Sequence, residues 1–141
     1  MSALPEGRTR AFTERLRDIE AVTDAGLAQL TLEELLVELL DRVREILAAD
    51  TAAVLLLDDA NAQLVATAAR GIEEEVYQGV RVPLGRGFAG RVAATRQAQA
   101  IDDIDEADVV NPLLRDRGIR SLLGVPLLVG GQLLGLLHVG N

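Results

Sequence analysis

Between residues 10 and 30, apolar side chains recur at Phe12, Leu16, Ile19, Val22 or Thr23, Leu27 and Leu30. That three-and-four spacing lines one narrow stripe of a helix. The remaining surface is charged, and a narrow stripe on a long lead-in helix packs onto its own domain or forms a two-stranded seam with a second copy. We expect the seam. Thr31 followed by Glu34 fits a capping box, with Leu30 and Leu35 in the two staple positions, so the chain is expected to bend or break near Thr31. Beyond it, Leu32, Leu35, Leu36, Leu39, Leu40, Val43, Ile46 and Leu47 form a broad apolar face. Glu33, Glu38, Asp41, Arg42, Arg44 and Glu45 cover the opposite side, as in a helix that lies on a core.

After Asp50 the period shortens. "TAAVLLL" and "LVATAAR" are β-compatible runs separated by turn residues from Asp58 to Gln63, and they predict a hairpin. "GVRVPL" is a weaker third strand, polar at Arg81 and stopped by Pro83, which suits a sheet edge. A short helix from Phe88 to Thr95, a brief strand "AQAID" and an acidic loop from Asp102 to Asp108 come next. Asn111, Pro112 and Gly118 bracket a two-turn helix as N-cap, first-turn proline and terminal glycine. "IRSLLGVPLLV" and "QLLGLLHVG", joined at Gly130 and Gly131, predict a long hairpin apolar on both faces, as for central strands covered on each side. Helices, hairpin, small mixed insert and hairpin in this order predict an α+β domain built on an antiparallel sheet.

Composition narrows the chemistry. A chain of 141 residues, 49% of them hydrophobic, is one domain with its own core. With no cysteine, disulfides, thiolate metal sites, cysteine nucleophiles and thioether-linked chromophores are excluded. Fourteen basic residues, all Arg, stand against 22 acidic ones for a net charge of -8, which argues against a nucleic-acid footprint. The aromatics are Phe12, Tyr77 and Phe88, too few for base-stacking platforms. No stretch reaches the roughly 18 apolar residues of a membrane span and no signal peptide is visible, so we expect a cytoplasmic protein without a membrane partner.

"GRGFAG", with Gly85, Gly87 and Gly90, matches a dinucleotide fingerprint, but the fingerprint needs a central strand before it and a long crossover helix after it. Here the strand carries Arg81 and Pro83, and the helix is short. The glycines instead predict a sharp corner at Gly85 and Gly87 and a close approach of helix to sheet at Gly90. An anion cradled by the helix amides beside Arg86 and Arg91 is the lesser reading. The acidic run Asp102, Asp103, Asp105, Glu106 and Asp108 lacks the glycine and closing Glu of a calcium loop, and we expect a solvated loop and no metal. His138, the single histidine, cannot build a multi-histidine metal site. It reads as a structural residue, with an axial haem ligand as the competing role. Ser121 has no partners for a triad, and no catalytic constellation emerges.

The ordered series "VRVPLGRGFAGRVAATRQAQAIDDI" and "RDRGIRSLLGVPLLVGGQLLGLLHVGN" resembles the GAF domain family. The match lies in Pro83 to Gly90, Ile101 to Asp103, Ile119 to Leu127 and Gly135 to Leu137, and the resemblance spans about residues 31 to 141. It implies an antiparallel central sheet of about six strands, dimerisation helices on one face, and short helices and loops forming a small-molecule pocket on the other. The domains are then a lead-in and dimerisation helix at 1–30 and a GAF domain at 31–141. The family's usual long C-terminal helix is missing before Asn141, so we expect a fragment with apolar surface uncovered on the dimer side.

The resemblance further implies a non-enzymatic sensory domain of a bacterial signalling protein, most similar to domains ahead of sigma-factor-regulating serine phosphatases, with sensor histidine kinases next. The Asn-Lys-Phe-Asp-Glu signature of cyclic-nucleotide-binding members is absent, and the bilin and methionine sulfoxide reductase branches need cysteine. Expected ligand-binding residues are Arg86, Phe88, Val92, Val110, Asn111, Leu113, Leu114 and Ser121. Expected partners are a second copy through helices 11–47, an unidentified small molecule and an effector domain. The cofactor stays open: a covalent chromophore is excluded and haem is disfavoured. Competing readings are a purely structural dimerisation module with a leucine-filled pocket, and a haem or gas sensor using His138.

Overall fold

The computed structural model describes residues 25–106 and 112–141, with side chains described for 31–105 and 112–141. Helix α1 spans Ala25–Leu47, and strands β1, Thr51–Asp58, and β2, Gln63–Arg70, form the first hairpin. A one-turn helix α2, Glu74–Tyr77, leads to β3, Arg81–Pro83. Helix α3, Gly87–Thr95, and β4, Gln99–Ile101, follow. A 3-10 turn at Ile104–Glu106 and helix α4, Pro112–Asp116, precede the closing hairpin of β5, Leu122–Val129, and β6, Gln132–Gly140.

The six strands form one sheet in the order β3-β2-β1-β6-β5-β4, with every pairing antiparallel. Each hairpin forms locally, and the long-range pairing of β1 with β6 joins the two in the middle of the sheet. In that ladder Ala53 stands opposite His138 and Leu55 opposite Leu136. The short strands β3 and β4 take the edges, where Pro83 withholds no ladder donor from a central strand.

Strand β1 runs buried from Thr51 to Leu55 because both of its faces are covered. On one face Ala52, Val54, Ala68 and Val139 pack with Leu40 of α1, flanked by Leu36, Val37 and Val43. On the other, Ala53, Leu55, Leu64 and Leu136 pack with Phe88 and Val92 of α3, Ile104, Leu114, Ile119 and Leu122. Each fully buried Leu or Val contributes roughly 1.5–3 kcal/mol from removal of apolar surface from water. The second cluster takes in residues of α2, α3, the 3-10 turn and α4, and it forms the larger core.

Three features differ from the sequence expectations. Helix α1 passes through Thr31 without a break; the intrahelical amide ladder outcompetes the local cap, since Thr is tolerated inside a helix. Helix α2 was not legible, because four residues carry no period. Strand β5 is not covered on both sides: Leu123 and Val125, on the α1 side of the sheet, are exposed among the described residues. The lead-in stripe before Ala25 and the proposed cap Asn111 lie outside the described residues.

Candidate functional site and family

The corner at "GRGFAG" is made by backbone geometry. Gly85 and Gly87 take φ of 84° and 62°, values that cost a side chain about 1–2 kcal/mol. A Cβ on Gly90 would stand 2.3 Å from the carbonyl oxygen of Pro83, so α3 approaches β3 only because that position has no side chain. The amide of Gly85 donates to the carbonyl of Gly90 (2.9 Å) and that of Arg86 to Pro83 (3.2 Å). These two donors are spent within the corner, and the Arg86 side chain is exposed.

The corner aims the first turn of α3 at the core. Phe88 and Val92 are buried there, Leu114 of α4 is buried in the same cluster, and Leu113 packs against it. These four expected ligand residues therefore come together. Arg86 stays at the surface, and Val110 and Asn111 lie outside the described residues. Ser121 is half-buried and lines a different cleft, of about 300 Å³, with Leu47, Ala100, Asp102 and Asn141. A second cleft of about 440 Å³, bordered by Leu84, Arg96 and Gln132, also takes in Ala93 and Ala94 of α3. Neither cleft is lined by Phe88 or Val92.

The described residues of the insert carry charge pairs at the surface. Arg115 Nε donates to Asp105 Oδ1 at 2.9 Å, and Arg117 pairs with Glu74 of α2. Arg120 stands 3.8 Å from Asp103, and the Ile104 amide donates to the Arg120 carbonyl at 2.8 Å. Asp103 and Asp105 thus find their partners in neighbouring arginines and in the run's own backbone, Asp105 N–H donating to Asp103 Oδ1 at 3.0 Å. Exposed pairs of this kind contribute roughly 0–1 kcal/mol each, so they orient the insert more than they stabilise it. Among the described residues, no group of three His, Asp or Glu is placed to hold a metal.

A buried polar pair that sequence reading missed links β6 to α2. His138 on β6 and Glu75 on α2 are 3% and 2% exposed, and the His138 Nε2 stands 3.2 and 3.3 Å from the two carboxylate oxygens of Glu75. Nδ1 of His138 is buried with no hydrogen-bond partner. Iron would reach Nε2 only after Glu75 had left, and the ring nitrogen without a partner is Nδ1. Glu75 carried no sequence signal, since it sits in an acidic triplet that resembles any solvated surface. His138 did carry one, a lone imidazole in an apolar strand.

Elsewhere the charges sit at the surface. Side-chain hydrogen bonds from Asn61 and then Arg81 hold the Asp58 carboxyl below its usual range. The hydrogen bond to Asp41, at 2.7 Å, raises the Arg70 guanidinium and ties β2 to α1. Among the described residues no helix is long and apolar enough to cross a membrane.

With this geometry in view, comparison with known proteins is direct. The chain is 31% identical over 74 residues to the HTH-type transcriptional activator RamA of Corynebacterium glutamicum, a match that covers 50% of this chain and 26% of that protein. The chain thus spans about a quarter of the length of this curated relative. Among solved structures, the GAF domain from a phosphoenolpyruvate-protein phosphotransferase of Coxiella burnetii superposes with a TM-score of 0.70 at 24% identity, covering 94% of this chain and 76% of that one. The Staphylococcus aureus NreA protein, mutated in its nitrate binding site, superposes at 0.68 with 22% identity, covering 79% and 86%. These two likenesses establish the fold. The model of the GAF domain matches residues 29–141, and with the six-stranded sheet, the glycine corner and the insert in place, the chain belongs to the GAF domain family.

Proposed function

We propose that this domain is a non-enzymatic sensory module of a cytoplasmic bacterial signalling protein, which responds to a small molecule or protein partner and relays the response through helices 11–47 of a homodimer. The observation that carries this reading is the placement of the described parts of the insert, residues 102–106 and 112–118. Its residues Ile104 and Leu114 are buried in the core on the sheet face opposite α1, and they are flanked by exposed pairs such as Arg115–Asp105 that a bound species can rearrange at little energetic cost. Strand β1 connects the two sides, with Ala53 in the core beneath the insert and Ala52 and Val54 in the core beneath α1. A ligand that favours one arrangement of the insert shifts the population of helix packings in proportion to its differential affinity for the two states.

The effector in this reading is a serine phosphatase or histidine kinase module. The identity with a transcriptional activator favours a second reading, in which the output is transcription. The test joins native mass spectrometry of protein purified from its host with the effector output of the protein that carries this chain. A retained small molecule whose loss, or whose exclusion by Asn111→Ala, changes the output supports the reading. No retained species, together with unchanged output, overturns its ligand half and leaves a structural dimerisation module.

A further inference from the structure

The arginines Arg42, Arg70, Arg81, Arg115, Arg117 and Arg120 each stand within ion-pair reach of a carboxylate. Arg96 does not, although the carboxylate of Asp59 lines the same cleft. That cleft holds about 440 Å³, within the range of roughly 300–1,000 Å³ that small-molecule sites occupy. Gln132 is its third polar residue, and Leu57, Leu84 and Leu133 supply most of its apolar lining.

Arg96 is held over the cleft by its backbone and by one of its nitrogens. It caps α3 at φ 57° and ψ 32°, a left-handed conformation that glycine or asparagine adopts more readily. Its Nη1 donates to the Gly131 carbonyl in the β5–β6 turn at 2.5 Å. The rest of the guanidinium, the Asp59 carboxylate and the Gln132 carboxamide have no hydrogen-bond or ion-pair partner among the described residues. Leu57, Leu84 and Leu133 pack against the larger core. The fold thus fixes the apolar wall and leaves two opposite charges on one cleft uncommitted.

We propose that this cleft binds a small aliphatic amino acid as a zwitterion, its carboxylate on Arg96 and its ammonium on Asp59. An occupant strips water from both charges, and a charge that is dehydrated without a partner is costly. A lone anion would leave Asp59 unpaired beside a like charge, and a lone cation would do the same to Arg96. A zwitterion answers both, and the planar guanidinium fork suits a carboxylate. The aliphatic part covers Leu57, Leu84 and Leu133. None of the lining residues comes from the insert, so this site does not rest on the function proposed above. Its occupant joins the tips of both hairpins, at Asp59 and Gln132, to the end of α3.

L-leucine and γ-aminobutyrate, which differ in charge spacing, are each titrated calorimetrically into the full chain beside analogues that lack one charge. Isocaproate and butyrate lack the ammonium; isoamylamine and propylamine lack the carboxylate. At least one amino acid is expected to bind saturably and about tenfold more tightly than either of its analogues, the gain of one charged hydrogen bond. Asp59→Asn should weaken that amino acid about tenfold and leave its ammonium-free analogue unchanged. Arg96→Asn, which suits the left-handed backbone, should weaken it about tenfold and leave the carboxylate-free analogue unchanged. Backbone amide shifts on binding should centre on Asp59, Arg96 and Gln132. The proposal is overturned if neither amino acid binds at millimolar concentration, if an analogue binds as tightly as its amino acid, or if either substitution leaves binding unchanged. Should a variant fail to fold, the analogue series and the amide shifts of the wild type decide. A negative result removes this site alone, because the regulatory reading is scored separately by effector output.

Discussion

Glu75 and His138, 63 positions apart in the chain, meet with the imidazole Nε2 3.2 Å from the Glu75 Oε2. Among the described residues they are the buried titratable groups. Their meeting pins a one-turn helix onto a central strand, and it sets a hydrophobic core around a polar contact.

Removing one partner should cost far more than removing both. His138→Leu takes the imidazole away from a buried carboxyl and is expected to lose about 3–5 kcal/mol, whereas the double variant Glu75→Leu, His138→Leu should be much less destabilised than the sum of the single changes. Urea unfolding of the four proteins measures this coupling. Additive losses would mean that the pair contributes no specific interaction.

Gly124→Ala drives a methyl group into the Phe88 ring, and overpacking of this kind costs about 1–3 kcal/mol. In a Phe88→Leu background the same change should be close to neutral, since the ring that opposes it is gone. Thermal unfolding of the single and double variants checks the prediction.

At the glycine corner, Gly90→Ala meets the Pro83 carbonyl at 2.3 Å, while Gly118, at φ 77°, has open space around it. Gly118→Ala should lose only the backbone strain of about 1–2 kcal/mol. Gly90→Ala should lose clearly more, because backbone must move, and comparison of the two denaturation midpoints tests the ranking.

The Asp58 carboxyl is held below its usual range by hydrogen bonds from Asn61 and Arg81. A depressed folded-state value contributes stability above the unfolded value of about 4, and that contribution is lost as pH falls through the folded value. The stability difference between wild type and Asp58→Asn should therefore shrink as pH is lowered from about 6 to about 3. Urea midpoints across that range give the sign, and a difference independent of pH would refute it.

Ile46 of α1 is 80% exposed, and Val125 of β5 also faces solvent on the α1 side. If this side carries the homodimer, Ile46→Arg and Val125→Arg should each shift sedimentation velocity from dimer to monomer while leaving the unfolding free energy within about 0.5 kcal/mol, as for other surface substitutions. A wild type that sediments as a monomer at all concentrations would remove the dimer from the proposed relay.

Much of the fold could be read locally. The alternating runs of β1 and β2, the glycine doublet between β5 and β6, and Pro83 at an edge are signals carried by a few adjacent residues. So was the function of "GRGFAG" as a corner, because Gly85, Gly87 and Gly90 act on neighbouring backbone. Thr31 shows where local reading fails: its capping box is a genuine local preference, overridden by a helix that continues to Leu47.

The candidate site divides the same way. Phe88, Val92, Leu113 and Leu114 were legible as apolar positions on short amphipathic elements. The pairing of Glu75 with His138 was not, because a four-residue helix has no period and an acidic triplet has the composition of surface.

By itself the sequence determined what depends on neighbours along the chain: two hairpins, an aliphatic core, a tight glycine corner and the absence of thiol chemistry. Only the tertiary structure decided what depends on the long-range closure of β1 against β6, because that ladder assigns each side chain of the central strands to one core or the other. It set Ala53 and Gly124 on either side of His138, laid Phe88 over the bare backbone at Gly124, and brought a carboxyl from 63 positions away to the imidazole.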